Sequence, residues 1–485
     1  EHIRLYPTLE MPMVAFRGKG DGTFEEMTQS WGTDIHAVHQ GFATGDLDGD
    51  GDLDLVVNCL NGPARLYRNN ASKDRVAIRL KGRSPNTQAI GSQITVNHST
   101  FKGVTRTLIS GGRYLSGGDT EQVFGILPYA DTLDLSIVWP DRTRSTLKGL
   151  KRNHHYTIQQ PLEPDAPTDS QLHSKLEIST PSVFSDASDR LNHISSRAFS
   201  DDFVRQPLLP YALSHHGPGL VCMDFDGDGI TDVLIGGEHG QQPTIHYGRS
   251  NGEFESKELE YRFRNDSAGM LGMVVPGGRV HLFAGQSGYE IPQQPALMEL
   301  NLQGQYRSLF SNILSGIGPM AAGPLHGEGG LSAFLGGSYQ SRQYPLTHPS
   351  RLLHQDGTGW RVDESHDALL TAVHRARSAV WSDLNGDGLP ELIIATEWGP
   401  IRVFQNTKGR LEDRTGEWGV DSFTGLWSGV VTGDMDGNGY PDLIVGNWGR
   451  NSPWRASVDR PLTLYHGDLL KTDVRDLIET EYHEN

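Results

Sequence analysis

The chain has 485 residues, enough for two or three domains, and its 58 Gly and 26 Pro argue for many turns and short strands over long helices. With 42 basic against 60 acidic residues the net charge is −18, which argues against a nucleic-acid partner, since phosphate binding requires clustered Lys and Arg. Two cysteines, Cys59 and Cys222, are too few for a disulfide framework and read as buried small residues, and no apolar run approaches the ~20 residues that span a bilayer.

Along the chain, residues 16–24 read as strand, Gly/Asp turn, strand, a hairpin pattern that recurs at 246–254, 353–360 and 404–411. Next comes Asp46-Leu47-Asp48-Gly49-Asp50-Gly51-Asp52-Leu53-Asp54, and the same nonapeptide frame returns at 224–232, 383–391 and 434–442. Each copy has an acid or amide side chain at positions 1, 3, 5 and 9. Like-charged carboxylates this close repel unless a cation sits among them, and Ca²⁺ takes six to eight oxygen ligands in flexible geometry. Glycine occupies positions 4 and 6 of every copy, where a backbone curling around an ion needs positive φ.

The candidate metal ligands are therefore Asp46, Asp48, Asp50 and Asp54, with Asp52 at position 7, and Asp224, Asp226, Asp228 and Asp232, with the Ile230 carbonyl. In the third loop they are Asp383, Asn385, Asp387 and Glu391 with the Leu389 carbonyl, and in the fourth Asp434, Asp436, Asn438 and Asp442 with the Tyr440 carbonyl. Position 12, which closes an EF-hand with a bidentate Glu, is Val57, Ile235, Ile394 or Val445. These lie in short β-branched runs, so the loops are expected to feed strands. About four Ca²⁺ would cancel roughly 8 negative charges, leaving an ordinary acidic surface.

Residues 75–160 lack acidic loops, and their alternating stretches predict a compact β-domain of some 85 residues. Residues 161–182 are proline-containing and poor in apolar side chains, an expected extended linker. From Asp224 onward the repeat unit recurs near residues 278 (a shorter variant, Gly277-Gly278-Arg279, that lacks the loop), 324, 383, 434 and 468, at intervals mostly of 46 to 59 residues. The copy at 323–329 has lost its ligands to Pro324, His326 and Ser332 and is expected to hold no ion, and the copy at 467–473 has lost its middle ligands. About four short strands per unit at that period predict blades of a β-propeller.

The loops and their strands resemble FG-GAP (VCBS) repeats. Ile90-Gly91-Ser92-Gln93-Ile94-Thr95-Val96, Ser110-Gly111-Gly112-Arg113-Tyr114-Leu115-Ser116, Phe124-Gly125-Ile126 and Val138-Trp139-Pro140-Asp141 resemble, in order, signature segments of the ASPIC/UnbV domain. The resemblance implies an all-β chain: residues 1–74 as the tail of a first propeller, 75–160 as the ASPIC/UnbV domain, 161–182 as the linker and 183–485 as a second FG-GAP propeller. The alternative is a single ring with the ASPIC/UnbV domain inserted. Asn385 and Asn438 replace Asp and lower the charge of their sites.

Function is expected to follow the family: a secreted or periplasmic, calcium-stabilised protein that binds a protein or glycan partner, with the ions reinforcing blades. A propeller enzyme of sugar lyase or dehydratase type, with a channel metal and histidines, is the alternative. Histidines at 36 and 39, 154–155 and 215–216 are its candidate groups. Trp398, Trp427, Trp448 and Trp454 are candidate sugar platforms or, more simply, packing between blades. None of the nucleophile-elbow, zincin, c-haem, P-loop or dinucleotide fingerprints occurs.

Overall fold

The structure is a computed structural model that describes residues 11–18, 24–37, 39–59, 62–70, 74–98, 101–111, 116–126, 132–162, 170–175, 184–195, 201–214, 217–275, 279–289, 291–292, 295–310, 315–326, 330–356, 359–433, 441–448, 456–457 and 459–482. The described residues are almost all strand, with three single-turn α-helices and one 3-10 turn. Five four-stranded antiparallel units dominate. Blade 1 runs through His39–Gly45, Asp54–Cys59 and Arg65–Asn69, and its fourth strand is Phe184–Asp186, which pairs with Arg65–Asn69. Blade 2 comprises Leu220–Met223, Asp232–Ile235, Thr244–Gly248 and Phe254–Glu258. Blade 3 begins at Ser267–Val275, blade 4 at Ser315–Gly323 and blade 5 at Ala376–Ser382.

Beyond blade 5, Thr424–Gly433 pairs with Asp442–Asn447 and also with the end of Glu391–Pro400, while Thr463–Gly467 and Asp476–Thr480 form a two-stranded sheet. First strands of successive blades lie side by side.

Strand alternation builds the cores between blades, because successive side chains point to opposite faces of a sheet. In Leu220–Met223, Leu220 and Cys222 face blade 1, where they join Ala43, Val56 and Leu66. Val221 and Met223 face blade 3, joining Met270, Leu282 and Met298. Each large aliphatic side chain so buried contributes about 1.5–3 kcal/mol. Both cysteines are buried, as expected, and neither is in a disulfide. At the seam between blades 4 and 5, Trp381 donates its indole N–H to the Ala321 carbonyl at 3.1 Å. Gly323 leaves room for that indole, since a Cβ there would sit 2.3 Å from Trp381 Cγ.

Residues 75–160, joined by Ser170–Lys175, form two four-stranded sheets, one ordered Phe101–Thr107, Gln93–His98, Thr132–Val138, Arg144–Lys151, the other Gln122–Gly125, Arg75–Lys81, His154–Gln159, Ser170–Lys175. Val76, Ile78, Ile94, Leu135, Ile137, Trp139 and Ile158 fill the space between them. The linker expectation needs correction at its centre: Ser170–Lys175 is a strand, supplied with backbone partners by His154–Gln159. Backbone pairing also bridges the boundary drawn between 1–74 and 183–485. Phe184–Asp186 completes blade 1, and the Asn58 side-chain amide donates to the Pro218 carbonyl at 3.1 Å.

Candidate metal loops and the inserted finger

Three of the four predicted loops lie among the described residues, each between the first and second strands of a blade, and they share one hydrogen-bonding plan. Asp46 accepts from Gly49 N–H (2.8 Å) and Gly51 N–H (2.8 Å), and Asp224 from Gly227 N–H (2.7 Å) and Gly229 N–H (3.0 Å). Asp383 accepts from Gly388 N–H at 2.8 Å. The side chains at positions 3 and 5 each accept from the N–H two residues on: Asp48 from Asp50, Asp50 from Asp52, Asp226 from Asp228, Asp228 from Ile230, Asn385 from Asp387 and Asp387 from Leu389. The expected positive φ is present at Gly49, Gly51, Gly227, Gly229, Gly386 and Gly388. Of the fourth loop, Asp434, Asp436, Asn438 and Tyr440 lie outside the described residues; Asp442 opens the strand that follows.

Position 9 does more than the sequence indicated. Asp232 accepts from Phe225 N–H at 2.7 Å and Gly248 N–H at 2.8 Å, and Asp54 from Leu47 N–H at 3.0 Å and Asn69 N–H at 2.8 Å. It therefore stitches the loop to the third strand of its own blade. Glu391 keeps only the loop half of this pattern, accepting from Leu384 N–H at 2.8 Å, while its other oxygen takes the Asn385 amide at 3.2 Å.

Electrostatics mark these loops as cation-seeking. Burial, reinforced by neighbouring carboxylates, pushes Asp46 and Asp54 well above the usual carboxylate range. Burial and then Asp50 raise Asp52 to about 8; burial raises Asp232 to about 7 and Glu391 to about 8. Asp48, Asp224 and Asp383 shift the same way, burial first. Carboxylate oxygens of Asp46, Asp48 and Asp50, and of Asp224, Asp226 and Asp232, lie within 4.8 Å of one another, so both groups could hold a metal ion. Both oxygens of Asp52 are buried without a hydrogen bond, with Arg75 Nη2 3.5 Å from one of them. An all-oxygen, anionic donor set of this spacing fits a hard divalent cation.

Arginines partly offset the charge. Arg68 Nε is 2.5 Å from Asp48, and Arg249 Nη1 lies 3.0 Å from Asp226. Arg75, at the start of the 75–160 domain, donates to the carbonyls of Gly51 (2.9 Å) and Asp50 (2.7 Å). Arg79, four residues on along the same strand, sits 3.0 Å from both Asp119 and Glu121, and Thr231 donates to Asp119 at 2.7 Å. Two arginines at like-facing positions beside Val76, Ile78 and Leu80 are the sequence signal for this contact; its target could not be read.

Nothing in the sequence marks where Ser110–Gly111 and Ser116–Gly117 pair. Ser110–Gly111 pairs antiparallel with the first strand of blade 4, and Ser116–Gly117 pairs parallel with the first strand of blade 2. Ser116 donates to the Phe42 carbonyl at 2.6 Å, and Asp119 N–H to the Thr44 carbonyl at 3.2 Å. A finger of the 75–160 domain thus lies against the first strands of blades 1, 2 and 4. Gly111 has φ +76, and a Cβ there would meet the Met320 carbonyl oxygen at 2.4 Å.

Other candidates disperse. His155 Nε2 sits 3.0 Å from Glu121, while His154 Nδ1 is 2.7 Å from the Arg152 carbonyl. His36 is exposed, and His39 has a pKa lowered by burial and then by Arg65. His215 and His216 lie outside the described residues. Trp398, held at φ +59, donates to Tyr344 OH at 2.5 Å, and Trp448 stands 5.2 Å from Tyr211. Trp398 belongs to a group with Tyr211, Tyr339 and Tyr344, beside the Glu397–Arg375 ion pair at 3.1 Å, and Trp448 reaches that group through Tyr211. Trp427 donates to the Phe423 carbonyl at 3.0 Å, and Trp454 is not among the described residues.

Matches to two family models agree with an all-β, repeat-containing chain. Residues 82–164 match the ASPIC and UnbV family, and residues 10–57 and 348–445 match the FG-GAP-like repeat. A 69-residue stretch is 36% identical to cartilage acidic protein 1 of Xenopus tropicalis and 38% identical to that of Homo sapiens, covering 14% of this chain in each case. The matched stretch spans 11% and 10% of those relatives. Among solved structures, the fucose-specific lectin of Aleuria aurantia overlays at a TM-score of 0.28 and 10% identity, covering 78% of this chain and 94% of its own. An ancestral GH74 enzyme overlays at 0.30 and 9% identity, covering 91% and 63%.

Proposed function

We propose that this chain, an ASPIC/UnbV domain set among FG-GAP-like repeats, is a calcium-stabilised propeller protein that binds a protein or glycan partner outside the cytoplasm. Both domain types are typical of extracellular or surface proteins. Among the described residues no helix is long and apolar enough to cross a membrane.

The observation that carries the proposal is the repetition of one acid-loop plan in three separate blades, each closed within its own blade by the position-9 carboxylate. Ions held this way order the turn between two strands, and extracellular sites need only ~10⁻⁴ to 10⁻³ M affinity to fill. The ligands in this proposal are those of the four loops, from Asp46 to Asp442. Asn385 leaves the third site with less charge than the first two. The strand pairing supports the inserted-domain arrangement, with residues 75–160 placed within one ring that includes blade 1.

The enzyme alternative needs a channel metal and histidines. Ser110–Gly111 and Ser116–Gly117 pair with first strands that would line such a channel, and the described histidine pair at 154–155 splits between two unrelated partners. A glycan array and a panel of extracellular-matrix proteins, probed with calcium-loaded and chelated protein, test the binding reading. Retained partner binding only in calcium supports it; turnover of a sugar substrate with no binding partner in either panel overturns it.

A further inference from the structure

The fourth blade keeps the frame of the acid loop while exchanging its chemistry. Strand pairing is equivalent in blades 1 and 4: Leu55 faces Tyr67, and Ala333 faces Leu353. That register puts His354 of blade 4 where blade 1 has Arg68, and the loop frame puts His326 where blade 1 has Asp48. In blade 1 these two positions meet as an ion pair at 2.5 Å. In blade 4 they meet as two imidazoles, ring centres 6.2 Å apart and planes at 84°. Neither ring is hydrogen-bonded among the described residues, and the His326 side chain is 45% exposed.

A carboxylate completes the group. Asp363 Oδ2 lies 4.0 Å from His326 Nε2 and 3.0 Å from His366 Nδ1. His366 Nε2 accepts the Leu411 N–H at 3.0 Å, so its proton is on Nδ1 and points at Asp363. The other Asp363 oxygen accepts from Ser365 N–H and Oγ at 3.0 and 2.5 Å. Histidine oriented against a carboxylate in this way is how proteins fix a metal-binding oxygen. Gly409, at φ +92, leaves space for the His326 ring, since a Cβ there would come within 2.9 Å of Nδ1.

We propose that His326, His354 and Asp363 form a site for a borderline divalent transition ion such as Zn²⁺, separate from the calcium loops. Two imidazoles and one carboxylate suit such an ion, whereas Ca²⁺ prefers oxygen alone. His326 and Asp363 stand 4.0 Å apart, with the His354 ring centre 6.2 Å from that of His326, so the donors are neighbours but not closed. The tight donor groups among the described residues are those at Asp46 and Asp224, and His326 and His354 must rotate to complete this one. Zn–N and Zn–O bonds of about 2.0–2.2 Å put two tetrahedral ligands roughly 3.3 Å apart, so the 4.0 Å gap has to shrink by under about 1 Å. Exposure of His326 permits that rotation. Water would fill the remaining positions.

The test uses the untagged full chain in saturating calcium, so that the acid loops are filled, titrated with Co²⁺ and followed by visible ligand-field absorption. One equivalent of Co²⁺ should bind and be displaced by Zn²⁺, with affinity lowered at least about tenfold in His326→Ala and in His354→Gln. His326→Ala should melt like wild type in calcium, since the side chain makes no hydrogen bond among the described residues. Absence of the absorption band, or a band unchanged in both variants, would overturn the proposal.

Discussion

Asp232 separates the two jobs assigned to the loops, because it is fully buried, belongs to the Asp224 cluster and also holds two backbone N–H groups. Asp232→Ala removes both acceptors. Hydrogen bonds to a charged group are worth about 1.5–3 kcal/mol each, so blade 2 should lose roughly 3–6 kcal/mol of local stability without calcium. Asp232→Asn keeps one acceptor and leaves one buried N–H facing an amide, a cost of about 1–3 kcal/mol. That cost is partly offset, because burial and Asp226 and Asp224 penalise the carboxylate. Hydrogen exchange of residues 220–248 is the suitable assay, since a chain of several units need not unfold in two states. Calcium should then protect wild type strongly, and Asp232→Asn weakly. Equal calcium protection in Asp232→Asn and wild type would refute the ligand role; unchanged exchange in calcium-free Asp232→Ala would refute the stitching role.

Gly111→Ala places a Cβ against the Met320 carbonyl at positive φ, so the finger should detach from blade 4, read as faster limited proteolysis of residues 75–160 with a smaller change in blade 5. Gly323→Ala crowds Trp381 and should destabilise the seam of blades 4 and 5 by about 1–3 kcal/mol, seen as a lowered melting temperature and a shifted Trp emission. Burial lowers His193 to about 4, and burial and then His193 lower His246 to about 3. The unfolded chain binds those protons near pH 6.5. Stability from the pair is therefore complete above pH 6.5 and declines as pH falls towards 3, and His246→Gln should flatten that part of the denaturation profile. Glu121 is the acid counterpart: burial alone would raise it, but Arg79 and His155 outweigh that and hold it at about 2. Its contribution is complete above about pH 4.5 and is lost as pH falls through 2, and Glu121→Gln should loosen the 75–160 domain at neutral pH.

What was legible in the sequence is what local chemistry dictates. Asp at alternate positions with Gly between them specifies both the acid cluster and the positive φ at Gly49, Gly227 and Gly386, whatever lies elsewhere in the fold. The unbroken apolar run Leu220–Met223 likewise is what a strand buried on two faces requires. Long-range pairing carries no such local mark. Phe184–Asp186 is three residues long, and nothing in it names Arg65–Asn69 as its partner across the 75–160 domain. Ser110–Gly111 and Ser116–Gly117 are small and polar, without apolar alternation, because their side of the contact is made by backbone hydrogen bonds. Ser170–Lys175 sits in a stretch too poor in apolar residues to fold alone, and it is a strand because His154–Gln159 offers an edge.

Thermal melting of the full chain with EGTA, followed by calcium add-back, bears most directly on the central claim that divalent ions pin adjacent strands of the blades. A clear drop in melting temperature on chelation, reversed by calcium and not by magnesium, is the expected result. An identical melting curve with and without the chelator would contradict it.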